Sequence, residues 1–137
     1  MKKSFVTKFS LLITVILACS FFSCKKGPGD GGRASIKGKV LSVNYNSSFT
    51  VPYDTGYIGG EKVYLIYGDE TMVGDDQDSN NDGAFEFKFL RKGSYKVYVF
   101  TKTLANHLDS AIVQEIEITD LKQTIELPDF VIKTSKN

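Results

Sequence analysis

The sequence predicts an all-β protein: a single seven-stranded β-sandwich over residues 35–137, following an export signal that is cleaved. Three observations predict it. Short runs rich in Val, Ile, Phe, Tyr and Thr carry apolar side chains at every second position, turn residues separate the runs, and no stretch shows sustained helical periodicity. About 100 residues of chain bury one sizeable core but not two, so one domain is expected.

The chain opens basic, with Lys2, Lys3 and Lys8, and passes into an apolar stretch from Phe9 to Phe22 with no acidic residue before Asp30. That is the layout of an export signal. The stretch is 14 residues long and includes Ser10, Thr14, Cys19 and Ser20, whereas a spanning helix needs about 20 mostly apolar residues. A permanent transmembrane helix is the weaker reading. The signal ends in Phe21-Phe22-Ser23-Cys24 and turns polar at Lys25-Lys26. These residues resemble the lipobox of bacterial lipoproteins, an apolar residue, a tolerant position and a small residue before cysteine. The resemblance implies cleavage after residue 23 and lipid attachment at Cys24. Ile16-Leu17-Ala18-Cys19 matches the letters more closely, but cutting there would leave Ser20-Phe21-Phe22-Ser23 on the mature protein. Residues 24–34 then read as the lipidated cysteine and a flexible tether, with five glycine or proline residues between 25 and 34. No cysteine follows residue 24, so the mature domain has neither an internal disulfide nor a thiolate metal site.

The strands follow in order. The first is expected near 35–43. The second, near 61–67, sets Val63, Leu65 and Tyr67 on one face and Lys62, Tyr64 and Ile66 on the other; the third is expected near 71–76. In the fourth, Ala84 to Leu90, Phe85, Phe87 and Phe89 alternate with Glu86 and Lys88, so one face is core and the other solvent. A one-residue slip would bury both charges, which fixes the register. The fifth, Ser94 to Lys102, offers Tyr95, Val97 and Val99 to one side, and the sixth, Ala111 to Thr119, sets Ile112, Ile116 and Ile118 against Glu115 and Glu117. The last, Gln123 to Thr134, is interrupted by Pro128-Asp129; proline cannot donate to a ladder, so an edge strand or a bend is expected. Leu104 to Ser110 has room for one helical turn.

Ile36-Lys37-Gly38-Lys39-Val40, Gly60-Glu61-Lys62-Val63-Tyr64-Leu65, Asp82-Gly83-Ala84-Phe85-Glu86-Phe87 and Leu90-Arg91-Lys92-Gly93-Ser94-Tyr95-Lys96-Val97 together resemble the prealbumin-like, seven-stranded domains. These are grouped with the carboxypeptidase regulatory-like and collagen-adhesin B-type modules. The resemblance covers most of residues 35–102 and implies a non-catalytic sandwich that serves as an appended, spacer or adhesion unit. Gly93 supplies the freedom of a tight turn, and Tyr95 can bury its ring while its hydroxyl reaches turn backbone. The chain departs from the pattern in the longer segment 44–60 and in Lys92, which stands where proline is usual. The adhesin branch also implies a lysine-to-asparagine crosslink between first and last strands. Lys37 or Lys39 would supply the amine, but the last strand has no asparagine.

Charge excludes one class of partner. Three of the 17 basic residues and none of the 16 acidic ones lie in the first 23 positions, leaving 14 against 16 on the mature chain. A net acidic domain lacks the basic face that neutralises phosphates, so no nucleic-acid partner is expected. Asp78-Ser79-Asn80-Asn81-Asp82-Gly83 places Asp78, Asn80 and Asp82 at the first, third and fifth positions of a calcium-type loop. The twelfth position is Phe89 where such a loop needs a glutamate, so the segment reads first as a hairpin turn. Tyr45, Phe49, Tyr53 and Tyr57, in the inserted segment, are candidate ligand-binding aromatics whose bland alternative is to cover the sandwich end. His107 has no second histidine and no cysteine to make a zinc set with, and no nucleophile motif surrounds it. No cofactor and no enzymatic activity is expected. The sequence reads as a binding or structural module held to the outer membrane by lipid, at its periplasmic face or at the cell surface, with a glycan or protein partner. The alternative is a small subunit of an outer-membrane assembly without its own ligand.

Overall fold

The computed structural model describes residues 26–102 and 109–135. These form nine strands and no helix: β1 (Asp30–Tyr45), β2 (Pro52–Tyr57), β3 (Lys62–Tyr67), β4 (Asp75–Asp78), β5 (Ala84–Leu90), β6 (Gly93–Lys102), β7 (Asp109–Ile118), β8 (Thr124–Glu126) and β9 (Phe130–Ser135). No helix among the described residues is long and apolar enough to cross a membrane. Cys24, His107 and residues 104–108 of the helical turn expected at 104–110 lie outside the described residues; Asp109 and Ser110, the end of that stretch, are extended and open β7.

The 16-residue strand β1 is the spine of a five-stranded sheet. It runs antiparallel to β5 through its first half and to β2 through its second. The amide of Val40 donates to Gly83 at the start of β5, while its carbonyl accepts from Ile58 just after β2. Since one residue's N–H and C=O point to the same side of a strand, β5 and β2 share one edge of β1. The other edge carries β8 and then β9, both parallel to β1. The second sheet has the order β4-β3-β6-β7, all antiparallel. Between the sheets lie Ile36, Val40, Phe85, Phe87, Leu90, Phe130 and Ile132 from the first and Val63, Leu65, Tyr95, Val97, Val99, Ile116 and Ile118 from the second.

The alternation expected of the sequence holds along most of this frame. Val63 and Leu65 are buried and Lys62 exposed; Phe85 and Phe87 point inward; Tyr95, Val97 and Val99 are buried; Ile116 and Ile118 are in, and Glu115 and Glu117 out. Pro128-Asp129 makes the expected bend, dividing the last run into β8 and β9.

The strand number is nine, not seven, for two physical reasons. That bend is one. The other is the inserted segment: the second half of β1 has backbone donors and acceptors that need partners, and Pro52–Tyr57 supplies them as an added strand. Pro52, with no N–H to donate, stands at its first position. The strand expected near 71–76 instead occupies Asp75–Asp78, where the Lys62 ammonium bridges Asp76 at 2.8 Å and Asp78 at 2.9 Å.

Phe89 corrects the reading of the fourth run. It is 68% exposed, and Leu90, the next residue, takes its place in the core at 1%. The backbone of Phe89 is left-handed, with φ of 59°, which reverses the alternation where the β1–β5 register shifts between Ala34 and Ile36. A left-handed residue other than glycine costs about 1–2 kcal/mol, against a backbone-entropy cost for glycine of about 0.5–1 kcal/mol. Phe89→Gly is therefore expected to leave stability unchanged or raise it by up to about 1 kcal/mol in urea unfolding; a loss would show that the ring makes a contact worth more than the strain.

The strand also starts earlier than the tether reading allowed, at Asp30 instead of Ser35. Gly32 lies so close to β5 that an added Cβ would meet the Leu90 carbonyl oxygen, so the glycines here serve packing against a neighbouring backbone. The Arg91 amide donates to the Gly29 carbonyl at 2.8 Å, and its guanidinium Nε donates to the Gly27 carbonyl at 2.8 Å. Tyr95 donates its hydroxyl proton to the Arg91 carbonyl at 2.7 Å and accepts from the Gly29 amide at 2.9 Å. The tyrosine thus does reach turn backbone with its ring buried, and one of its partners is the segment read as free.

Candidate functional site

A groove of about 690 Å³ lies beside β1 where β2, β5 and β8 meet it. Strand alternation builds its floor. With Ile36 and Val40 committed to the core, Lys37 and Lys39 project from the opposite face of β1. Cross-strand register sets Glu86 of β5 and Glu126 of β8 on either side of Lys37. Gly38 between the lysines lets the buried Phe85 ring approach: a Cβ there would stand 2.8 Å from the ring.

The groove is polar and internally paired. Lys37 Nζ lies 3.3 Å from Glu126 Oε2, and Lys88 Nζ lies 3.1 Å from Glu86 Oε2. Tyr57, 48% exposed, donates its phenol proton to Asp129 Oδ2 at 2.9 Å. Lys39 Nζ stands 4.7 Å from the centroid of the same ring, within cation–π range. The bond to Asp129, reinforced by that carboxylate's charge, holds the Tyr57 phenol above its ordinary pKa. At the far wall stand Gln77, Asp78 and Asn80. Gln77 Nε2 is buried there without a hydrogen-bond partner among the described residues.

Of the four aromatics singled out in the inserted segment, only Tyr57 lines this groove. Tyr45 and Phe49 stack on one another at 5.8 Å, and Phe49 is buried to 5% exposure. Tyr53 is 57% exposed on β2. The structure thus does not gather the four: Tyr45 ends β1 and stacks on Phe49 in the turn that follows, while Tyr53 stands at the bulge where the β1–β2 register shifts, which breaks the strand alternation that would set it on one face with Tyr57.

Two of the three calcium-type loop residues, Asp78 and Asn80, have their side chains engaged elsewhere. Asp78 is paired with Lys62, and Asn80 Oδ1 accepts the amides of Asp82 at 3.0 Å and Ala84 at 2.9 Å. That is the side-chain-to-backbone pattern of a turn. Gly83 completes it with φ of 73° and no room for a side chain beside the Val40 carbonyl.

Sequence reasoning passed over a second set. Tyr64, Tyr98 and Phe100 cluster on the outward face of the four-stranded sheet, with Tyr64 and Tyr98 stacked at 4.8 Å and Phe100 edge-on to both at 5.7 and 5.6 Å. Phe100 is 42% exposed and Val113 beside it 51%. The signal was present in the alternation, since Val63, Val97 and Val99 facing inward force Tyr64, Tyr98 and Phe100 outward.

No protein-family model and no curated protein matches the sequence. Among solved structures, the chain is similar to a candidate carbohydrate-binding protein of Pseudomonas aeruginosa, at 9% identity and a TM-score of 0.45 over 82% of this chain and 94% of that one. It is also similar to an (S)-allantoin synthase, at 14% identity and a TM-score of 0.41 over 76% of this chain and 42% of that one. At those scores neither likeness carries weight.

Proposed function

We propose that this chain is a lipid-anchored, non-catalytic envelope module that binds a polyhydroxylated ligand, a glycan, in the groove beside Tyr57. The groove carries the reading. A sugar ring offers an apolar C–H face and several hydroxyls that both donate and accept. The exposed Tyr57 ring suits the first, and alternating lysines and carboxylates suit the second with charge-assisted hydrogen bonds. Glu86, Glu126 and Asp129 are each already engaged by a lysine or a phenol, an arrangement that favours holding over proton transfer. Phe21-Phe22-Ser23-Cys24 supports the anchor, with acyl chains on Cys24 fixing the module to the outer membrane.

The test is binding on a glycan array followed by titration calorimetry. Tyr57→Ala is expected to weaken the glycan retained by the parent about tenfold or more, the usual effect of removing a central aromatic anchor, while the melting temperature stays put. Tyr53→Ala, outside the groove, is expected to leave affinity unchanged. Equal binding by parent and Tyr57→Ala would remove the groove from the account. A second reading, a subunit of a larger assembly, is favoured by the exposed Phe100 and Val113 beside the tyrosine pair. A stoichiometric protein partner captured from native membranes by the parent and lost by Phe100→Ser would support it over the glycan reading.

A further inference from the structure

We infer that the tether end of the sandwich is itself a membrane-contacting surface, seated on the bilayer with Phe89 and Leu121 at headgroup level. The inference deepens the proposed anchoring and rests on it. Arg91 and Tyr95 hold the chain from Gly27 onward against the body of the domain. Pro28 is wedged between two turns, since a Cβ on Gly68 or on Gly93 would stand 3.0 or 2.9 Å from it. Only Cys24, Lys25 and Lys26 therefore separate an acylated sulfur from the folded body. Three extended residues reach about 10 Å, less than the headgroup layer plus a cushion of water, so whatever stands around Lys26 meets lipid.

What stands there fits lipid. A groove of about 700 Å³ opens beside Lys26, lined mostly by apolar atoms, with Leu121 at its rim. Leu121 is 66% exposed. Arg91 and Lys92 join Lys26 in its lining against a single acid, Glu117, which gives the excess of cations that headgroup phosphates attract. Around the edge of β5, Phe89 is turned outward by its left-handed backbone and lies in a shallow hollow of its own with Arg33 and with Lys88, whose ammonium is paired with Glu86 in the same lining. Apolar side chains flanked by lysine and arginine stems are the composition of an interfacial contact. The turn at 69–74 brings Asp69 and Glu70 toward the same end together with the exposed Met72 and Val73, so the cationic contact is confined to the Lys26 side.

The experiment uses the full chain purified in lipidated form from bacterial membranes and placed in vesicles of phosphatidylethanolamine and phosphatidylglycerol. No cysteine follows Cys24, so a thiol-reactive fluorophore marks one introduced position: Lys122→Cys beside Leu121, or Thr55→Cys on β2 at the opposite end of β1. Spin-labelled lipid is expected to quench the label at 122 and to leave the label at 55 untouched. Phe89→Ser with Leu121→Ser is expected to return position 122 toward the value at 55. Equal quenching at the two positions, or quenching at 122 that survives the double substitution, overturns the inference while the anchor stands. Intact mass of the same sample reads the anchor separately: absence of acyl chains refutes anchoring, and this inference with it. A mass retaining residues 1–23 refutes cleavage before Cys24, and this inference with it.

Discussion

Phe130→Ala is expected to lower the melting temperature by about 15–25 °C. The ring is fully buried, at 0% exposure, and stands 6.0 Å from Phe85, which in turn stands 6.0 Å from Phe87. These three rings link β9 to β5 beneath the spine strand. Truncating a buried phenylalanine costs about 3–5 kcal/mol in lost transfer energy and residual cavity. For a domain of about 100 residues, each kcal/mol shifts the melting point by about 4–8 °C. Relief by collapse is limited, because β9 is pinned to β1 through six residue pairs from Val40↔Phe130 to Tyr45↔Ser135, and shifting it inward breaks that ladder. The neighbouring Val131→Ala, at a position 45% exposed on the opposite face, is expected to cost under about 0.5 kcal/mol. Scanning calorimetry of the two variants decides the matter; a drop for Phe130→Ala no larger than that for Val131→Ala would mean that β9 does not seal the core.

How much of this was legible follows from what a period of two can encode. Alternation identifies which residues of a strand share a face, so the inward sets of β3, β5, β6 and β7 follow from their own letters up to Phe87, Val99 and Ile118. It does not encode a local reversal. Phe89 looks like the third member of an alternating series, and only its left-handed backbone, set by the register shift against β1, turns it out and sends Leu90 in. Nor does composition distinguish a free glycine-rich segment from one that needs glycine for close packing. Residues 27–32 read as tether until the Leu90 carbonyl appears beside Gly32.

The groove was less legible still. Tyr57 stood among the aromatics of the inserted segment, but its partners Asp129 and Lys39, and Glu126 in the same groove, are brought to it only by the pairing of β1 with β2, β8 and β9. Two of those pairings are parallel and span some ninety residues of sequence, a separation that no local pattern reports. Phe100 and the tyrosine pair were within reach of alternation, since they occupy the face opposite the buried valines; an outward aromatic is simply read as ordinary surface unless its neighbours across the ladder are known.

Tyr95→Phe is expected to destabilise the domain by about 2–3 kcal/mol, although it removes a single oxygen atom and leaves the buried ring in place. The loss comes from two backbone groups at once. The Gly29 amide, which donates to that oxygen at 2.9 Å, and the Arg91 carbonyl, which accepts from it at 2.7 Å, are both deprived of their partner. An unsatisfied buried polar group costs about 1–3 kcal/mol, and Gly29 itself is buried. Local order should fall further than global stability. Ordering a glycine-rich stretch costs about 1–2 kcal/mol of backbone entropy per residue, and residues 27–32 include four glycines, so few contacts stand between the clamped segment and a loose one. Limited proteolysis and amide exchange are expected to show residues 27–32 protected in the parent and open in Tyr95→Phe, with β6 still protected in both. If that segment stays closed and urea unfolding is unchanged, the phenol does not fasten the chain to the sandwich, and the reach from Cys24 to the folded body is longer than the geometry implies.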